Sequence, residues 1–314
     1  MGKISRPVVA IGECMVELAR GADNRFGLAY GGDTFNSAVY MARCGLAVSY
    51  ATALGDDPYS LGIRRMAAEE DVGTDLMLAV SGRMPGLYLI ETAAGGERTF
   101  HYWRDRSPAR ELFEHAEAHR ISAAMAGARL VYISGITLSL YSDAGLDRLA
   151  GALQVARAAG ARIAMDGNYR PRGWAGDRDR ARRVIERFWL LADMALPTLD
   201  DEELLWQQPG PSSVIDRLRG LGVAEIVVKD GPRGAIVAAD GTTVHVPIPA
   251  PVAAIDTTAA GDSFNAAYIA ARLGGSSPAD AALDGHRLAG VVVQHRGAIA
   301  PREATAAVIV KRAG

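Results

Sequence analysis

Cysteine is nearly absent: Cys14 and Cys44 are the only two in 314 residues, and their spacing matches neither a metal site nor a redox pair. That excludes a disulfide framework and thiol redox chemistry, and leaves two reduced, buried thiols as the expectation. An excess of charge is missing too. Lys and Arg number 34 against 36 Asp and Glu, so no global field draws the chain to nucleic acid or an anionic membrane, and any anion site must be local. No stretch approaches the roughly 18 uninterrupted apolar residues of a membrane span, and the start MGKISRPVVAIGE lacks a long apolar signal core. A cytoplasmic enzyme with neither nucleic-acid nor membrane partners is the expectation. The first strand-to-helix turn carries no G-x-G-x-x-G, which argues against a dinucleotide oxidoreductase.

What is present is an alternation of short β-rich runs with longer helical ones. VVAIGE (8–13), SYATAL (49–54), RLVYISG (129–135), RIAMDGN (162–168), MALP (194–197) and EIVVKDG (225–231) read as strands. Between them lie helical patterns over 34–43, 61–72, 142–158 and 177–191. This order predicts an α/β fold with a mostly parallel sheet flanked by helices on both faces. Ligands in such sheets gather at the carboxyl ends of the strands. One part breaks the pattern: PGLYLIET (85–92) and RTFHYWR (98–104) flank AAGGE and predict a hairpin. The strand period of two puts Phe100, Tyr102 and Arg104 on one face and His101 and Trp103 on the other. We expect one domain over 1–314, with a small β-sheet lid from segments near 13–32 and 85–105.

Two stretches carry the chemistry. IDTTAAGDSF (255–264) runs into FNAAYIAARLG, whose Phe264, Ala267, Tyr268 and Ala271 recur at helical intervals. Thr257 and Thr258 are candidate caps, and the bare amides of the first turn, next to small residues, favour an anion. Asp256 and Asp262 fit such a place only if one serves a metal ion and the other does chemistry. GGDTFNSAVYMARCG (31–45) sets two glycines before a second helix. It reads either as a glycine turn with an Asp or Thr cap, or as a place where Gly31 and Gly32 admit a ligand and Asn36 points its amide at hydroxyls.

Together these stretches closely resemble the two signatures of the ribokinase-like (phosphofructokinase-B type) carbohydrate kinases, and the resemblance spans nearly the whole chain. The runs IGECMVEL, PGLYLIET, GERTFHYWR, DGNYRPRGW and QHRGAIAPRE look most like the kinases of 2-keto-3-deoxygluconate. The resemblance implies ATP and Mg²⁺ as cofactors and phosphorylation of a keto sugar acid at its terminal-side hydroxyl. It makes Asp262 the base and gives the amides of Ala259, Ala260 and Gly261 the charge of the transferred group. At a helix start Asp262 is expected to stay ionised and be a weak base, which a loose phosphoryl transition state tolerates. Gly31, Gly32, Asn36, Tyr88, Tyr102, Arg104 and Arg170 would bind substrate, the two arginines holding its carboxylate. Asn168, Lys229, Gly231, Gly234 and Thr257 would lie near the nucleotide. Asp256 and Asp201 would serve magnesium through water, with Glu202 as the alternative to Asp201.

Two departures from the family pattern stand out. Ala259 replaces the commoner glycine, acceptable if its φ is negative, and Thr198 and Asp201 stand where many relatives carry an asparagine and a glutamate. Two signals are discounted: His115 and His119 in HAEAH, one helical turn apart without a third ligand, and the arginine-rich 178–188, interleaved with Asp179 and Glu186 as a solvated helix face. His286 and His295 read as core or nucleotide-pocket neighbours. Alternatives are a fructokinase-like or 2-keto-3-deoxygalactonate-type kinase and a sensor that binds without turnover. Leu87, Leu89 and Trp103 on the outer lid face favour a homo-oligomer through the lid.

Overall fold

The computed structural model describes residues 6–21, 23–92 and 98–309. The main sheet is built on six strands in parallel: β1 (Val8–Ile11), β4 (Val48–Leu54), β9 (Leu130–Ser134), β10 (Arg162–Asp166), β11 (Met194–Ala195) and β12 (Glu225–Lys229). They run in the order β12-β11-β10-β9-β1-β4. The short β5 (Val72–Gly73) and β6 (Met77–Ala79) each pair with β4 in parallel. At the other edge β13 (Ala235–Ala239) and β14 (Thr242–Val246) continue antiparallel.

Alternate residues of these strands feed two apolar layers, as expected where helices cover both faces. Val9, Ile11, Val131 and Ile133 belong to one layer; Val8, Ala10, Leu130 and Tyr132 belong to the other. In the second layer lie the helices Asp33–Arg43, Ala260–Leu273 and Pro278–Val292, which pack on one another around Phe35, Phe264 and Tyr268. His286 is a core neighbour, its ring 5.0 Å from that of Phe264. Cys14 and Cys44 are free and buried.

A second, four-stranded sheet stands apart from the first. It joins the hairpin β2 (Met15–Arg20) and β3 (Phe26–Gly31) to the hairpin β7 (Leu87–Thr92) and β8 (Arg98–Trp103) through a parallel β2–β7 pair. The expected AAGGE turn between β7 and β8 lies outside the described residues. The alternation along RTFHYWR is as the period of two requires: Phe100, Tyr102 and Arg104 face the cleft, and Trp103 is 60% exposed on the outer face.

Local chemistry moved some boundaries. The helix expected over 61–72 is Pro58–Glu69, because Asp57 caps it by accepting from the amides of Tyr59 and Ser60, with Pro58 at its first position. HAEAH is not a helical pair, since the helix begins only at Ala118. The helix at 33 is capped by the extended backbone of Gly32, not by Asp or Thr. That at 260 is capped by Ala259 at φ 59°, with Thr257 and Thr258 before it. The condition placed on Ala259, a negative φ, is therefore not met.

Candidate active site

The carboxyl ends of β1, β9, β10 and β12, the first turns of the helices at 33 and 260, and the inner face of the lid enclose a cleft of about 580 Å³. Placement at the strand ends follows from the fold, since only there do loops and helix starts converge. The cleft brings together Gly32, Asn36, Tyr88, Tyr102, Arg104, Asn168, Arg170, Lys229, Thr257, Ala259, Ala260, Gly261 and Asp262. It also contains Glu13, Asp33, Asp166, Thr198 and Thr258, which are not among the ligand-binding or catalytic residues expected from the sequence.

Asp262 sits in the first helical turn, 8% exposed, and its Oδ2 accepts from Asn36 Nδ2 at 2.9 Å. Burial, then the nearby Asp33 carboxylate, pushes its pKa up from 3.8 to about 8, against the opposing pull of the Asn36 hydrogen bond and Lys229. The expectation of a weak, always ionised carboxylate is thus corrected: the helix dipole is outweighed by desolvation and by a second acid. Next to Asp262, the amides of Ala259 and Gly261 have no hydrogen-bond acceptor among the described residues.

Beneath this turn lies a buried polar network. Lys229 Nζ donates to Asp166 Oδ2 at 3.1 Å and to Asn265 Oδ1 at 3.0 Å, while Asn265 Nδ2 donates to the same Asp166 oxygen at 2.7 Å and to the Tyr132 hydroxyl at 3.0 Å. A Cβ on Gly261 would lie 3.5 Å from Lys229 Nζ, so the ammonium group adjoins the anion-facing turn. Asn168, at φ 31°, donates from Nδ2 to Asp33 Oδ2 at 3.0 Å, and its buried Oδ1 has no partner among the described residues.

Several expected roles meet a different geometry. The Asn36 amide is occupied by Asp262 instead of pointing at open hydroxyl positions. Glycine at 32 makes room for protein backbone, since a Cβ there would meet the Glu13 carbonyl oxygen at 2.0 Å; one at Gly31 would meet the Tyr88 hydroxyl oxygen at 2.9 Å. Tyr88 donates to Glu17 and not into the cleft. Gly231 and Gly234 are not among the cleft residues: Gly234, at φ 102°, abuts the Val246 carbonyl at the turn between β12 and β13. Asp256 is buried, with Oδ1 accepting from the Thr258 amide at 2.9 Å and Oδ2 from the Gly297 amide at 2.7 Å, so it braces the turn before Ala259. Asp201 pairs with Arg170 at 2.7 Å, and Glu202 with Arg217; burial raises the Asp201 pKa, and that of Glu202 to about 7.

Each arginine expected to read a carboxylate already has an acid beside it. Arg104 pairs with the buried Glu13, leaving Arg104 Nε and Glu13 Oε1 without partners among the described residues. Arg170 keeps the greater freedom, its side chain 55% exposed. Among the described residues no group of three or more His, Cys, Asp or Glu is arranged to hold a metal ion. The hard oxygen donors Asp33, Asp166 and Asn168 Oδ1 do suit magnesium, an ion that keeps much of its water and shares ligands with phosphate.

Glu13, Asp33 and Asp166 had a readable signal, each being an acid at a strand end or helix start facing the cleft. In the sequence Asp33 reads instead as a helix cap.

The pfkB carbohydrate kinase profile matches residues 5–305. The chain belongs to the pfkB family of carbohydrate kinases. This kinase is 43% identical over 310 residues to a 2-dehydro-3-deoxygluconokinase of Escherichia coli K12, covering 96% of this chain and 99% of that one. To the protein of the same name from Dickeya dadantii it is 42% identical, covering 96% and 98%. Among solved structures, the fructokinase of Xylella fastidiosa with bound ATP superposes with a TM-score of 0.84 at 20% identity, covering 98% of each chain, which speaks to the fold.

Proposed function

We propose that this chain transfers the γ-phosphoryl group of ATP to the terminal-side hydroxyl of 2-keto-3-deoxygluconate (2-dehydro-3-deoxygluconate), giving the 6-phosphate. The observation that carries the reading is the buried Asp262 beside the amides of Ala259 and Gly261, which have no acceptor among the described residues, in one cleft with Arg104 and Arg170. Near-full-length identity to relatives bearing that enzyme name supports the substrate. In this reading Asp262, oriented by Asn36, takes the proton of the attacking hydroxyl, and its raised pKa makes it a stronger acceptor than an ordinary carboxylate. The amides at 259–261 and Lys229 face the charge of the moving group, while Thr257 and Asn168 adjoin the nucleotide phosphates. Magnesium bound with the nucleotide would neutralise phosphate charge, held through water near Asp33, Asp166 and Asn168. Tyr102 and Arg104 close the sugar from the lid side, and Arg170 takes the carboxylate.

One observation favours a second reading, a fructokinase-like acceptor: Arg104 and Arg170 are each balanced by an acid, so the cleft offers less net charge to a carboxylate than two bare arginines would. ADP release measured with 2-keto-3-deoxygluconate, fructose, ribose and adenosine decides between them. The sugar acid should turn over fastest. Arg170→Ala should raise its KM by about thirtyfold, the low end of what truncating one partner of a hydrogen-bonded charge pair costs, and spare a neutral sugar. Faster turnover of a neutral sugar by the wild type would overturn the assignment.

We further propose that the outer lid face, with Phe26 47%, Leu28 52% and Trp103 60% exposed, pairs with a second copy of the chain. The two buried free thiols suit a reducing compartment, the cytoplasm.

A further inference from the structure

The substrate cleft has a neighbour. A second cavity of about 360 Å³ opens between the lid strands β2 and β3 and the segment 296–302, lined in part by Glu17, Tyr30, Arg43, Arg296 and Ala298. Two sets of contacts show how thin the partition is. Tyr88 lines the cleft, Glu17 lines the second cavity, and the Tyr88 hydroxyl donates to the Glu17 carboxylate. At Gly31, a Cβ would lie 2.9 Å from the Tyr88 hydroxyl oxygen, 3.5 Å from Asn36 Oδ1 on the cleft side and 3.7 Å from the Ala298 Cβ on the far side. The wall here is one layer of side chains, closed by a hydrogen bond between groups that are 3% and 7% exposed.

We infer that Glu17 sets the length of acceptor the cleft admits, by holding Tyr88 as the partition between the two cavities. Glu17 does not line the cleft and touches no reacting atom, so it acts as a positioning residue through Tyr88. The bond joins phenol to carboxyl, and breaking it would take from the buried Tyr88 hydroxyl its acceptor. Held in this way, Tyr88 gives the cleft a firm wall on this side. An acceptor extended beyond six carbons would need the second cavity, where the exposed Arg296 offers a charged contact and the Tyr30 ring an apolar face. The inference deepens the sugar-acid reading above and rests on it for the class of ligand.

The test is calorimetric titration of D-gluconate and D-glucoheptonate, six- and seven-carbon sugar acids, into the wild type and three variants. The wild type should prefer gluconate by tenfold or more. Glu17→Gln should keep that preference, because the amide oxygen still accepts from Tyr88. Glu17→Ala should bring the two affinities within about threefold, and Tyr88→Phe, which keeps the ring but loses the bond, should fall between and serves if the alanine variant does not fold. An undiminished preference in folded Glu17→Ala or Tyr88→Phe, equal binding by the wild type, or binding of neither acid would overturn the inference. ADP release with 2-keto-3-deoxygluconate, run in parallel, judges the kinase assignment separately, since the titrations involve no turnover.

Discussion

The floor of the cleft and its lid are built on opposite terms. On the floor, polar groups are buried and bound to one another: Asp262 to Asn36, and Asp166 to both Lys229 and Asn265. On the lid, aromatic faces remain partly open, with Tyr102 43% exposed and its ring 5.9 Å from that of Tyr88. The difference separates two tasks. Charge that must be stabilised during reaction is best met by groups that need no rearrangement, in a place where water does not dilute their field. A surface that admits and covers a polyol works better with adaptable, amphipathic rings.

The strongest way to break this contrast is Asp262→Asn. If Asp262 is the base proposed above, the variant should lose about 10²–10⁴-fold in kcat, while the fold becomes more stable. The Asp262 pKa is raised from 3.8 to about 8 on folding. Its favourable contribution is therefore complete below about pH 4 and is lost as pH rises through 8, when a buried charge must form. The asparagine variant should gain thermal stability over the wild type by an amount that grows from pH 5 to pH 9, on the order of a few kcal/mol at the upper end. In the wild type, kcat/KM should climb with pH along a limb centred near 8. A profile flat from pH 5 to 9, with no stability gain at pH 9, would remove the desolvated base from the account.

The lid side is probed by Trp103→Asp on its outer face. If that face seats a second copy, light scattering should show the mass falling by half at micromolar concentration; an unchanged mass would remove the lid from the interface. The smallest effect is expected at Ala259, which holds φ 59° where a left-handed backbone costs an L-residue about 1–2 kcal/mol. Ala259→Gly relieves that strain but gives the unfolded chain about 0.4–1 kcal/mol more entropy to lose. The net gain should be roughly 0.5 kcal/mol, a rise in melting temperature of about 1 °C. A clear loss of stability would mean that the alanine methyl packs more than the strain costs.

The sheet order, the lid and the two motif helices were legible because they depend on periodicity and on small-residue punctuation, which are local. So was the convergence of 31–36 with 257–262, through the family signatures that carry both. What the sequence did not disclose is partnership. Asn36 reads as a free amide until the structure sets it 226 positions away against Asp262. Asp256 reads as a metal-side acid until its oxygens are found on the Thr258 and Gly297 amides. The pKa of Asp262 was misjudged for the same reason, since the helix dipole is visible in sequence whereas burial and the approach of Asp33 are not.

Strand β3 ends at Gly31 and the next helix starts at Asp33, so a single residue joins the cover to the rod that bears Asn36. There is no slack chain between them. Any swing of the cover would therefore tug on the amide that donates to the Asp262 oxygen, so that under the proposed mechanism sealing the chamber and aiming its base would be one mechanical event.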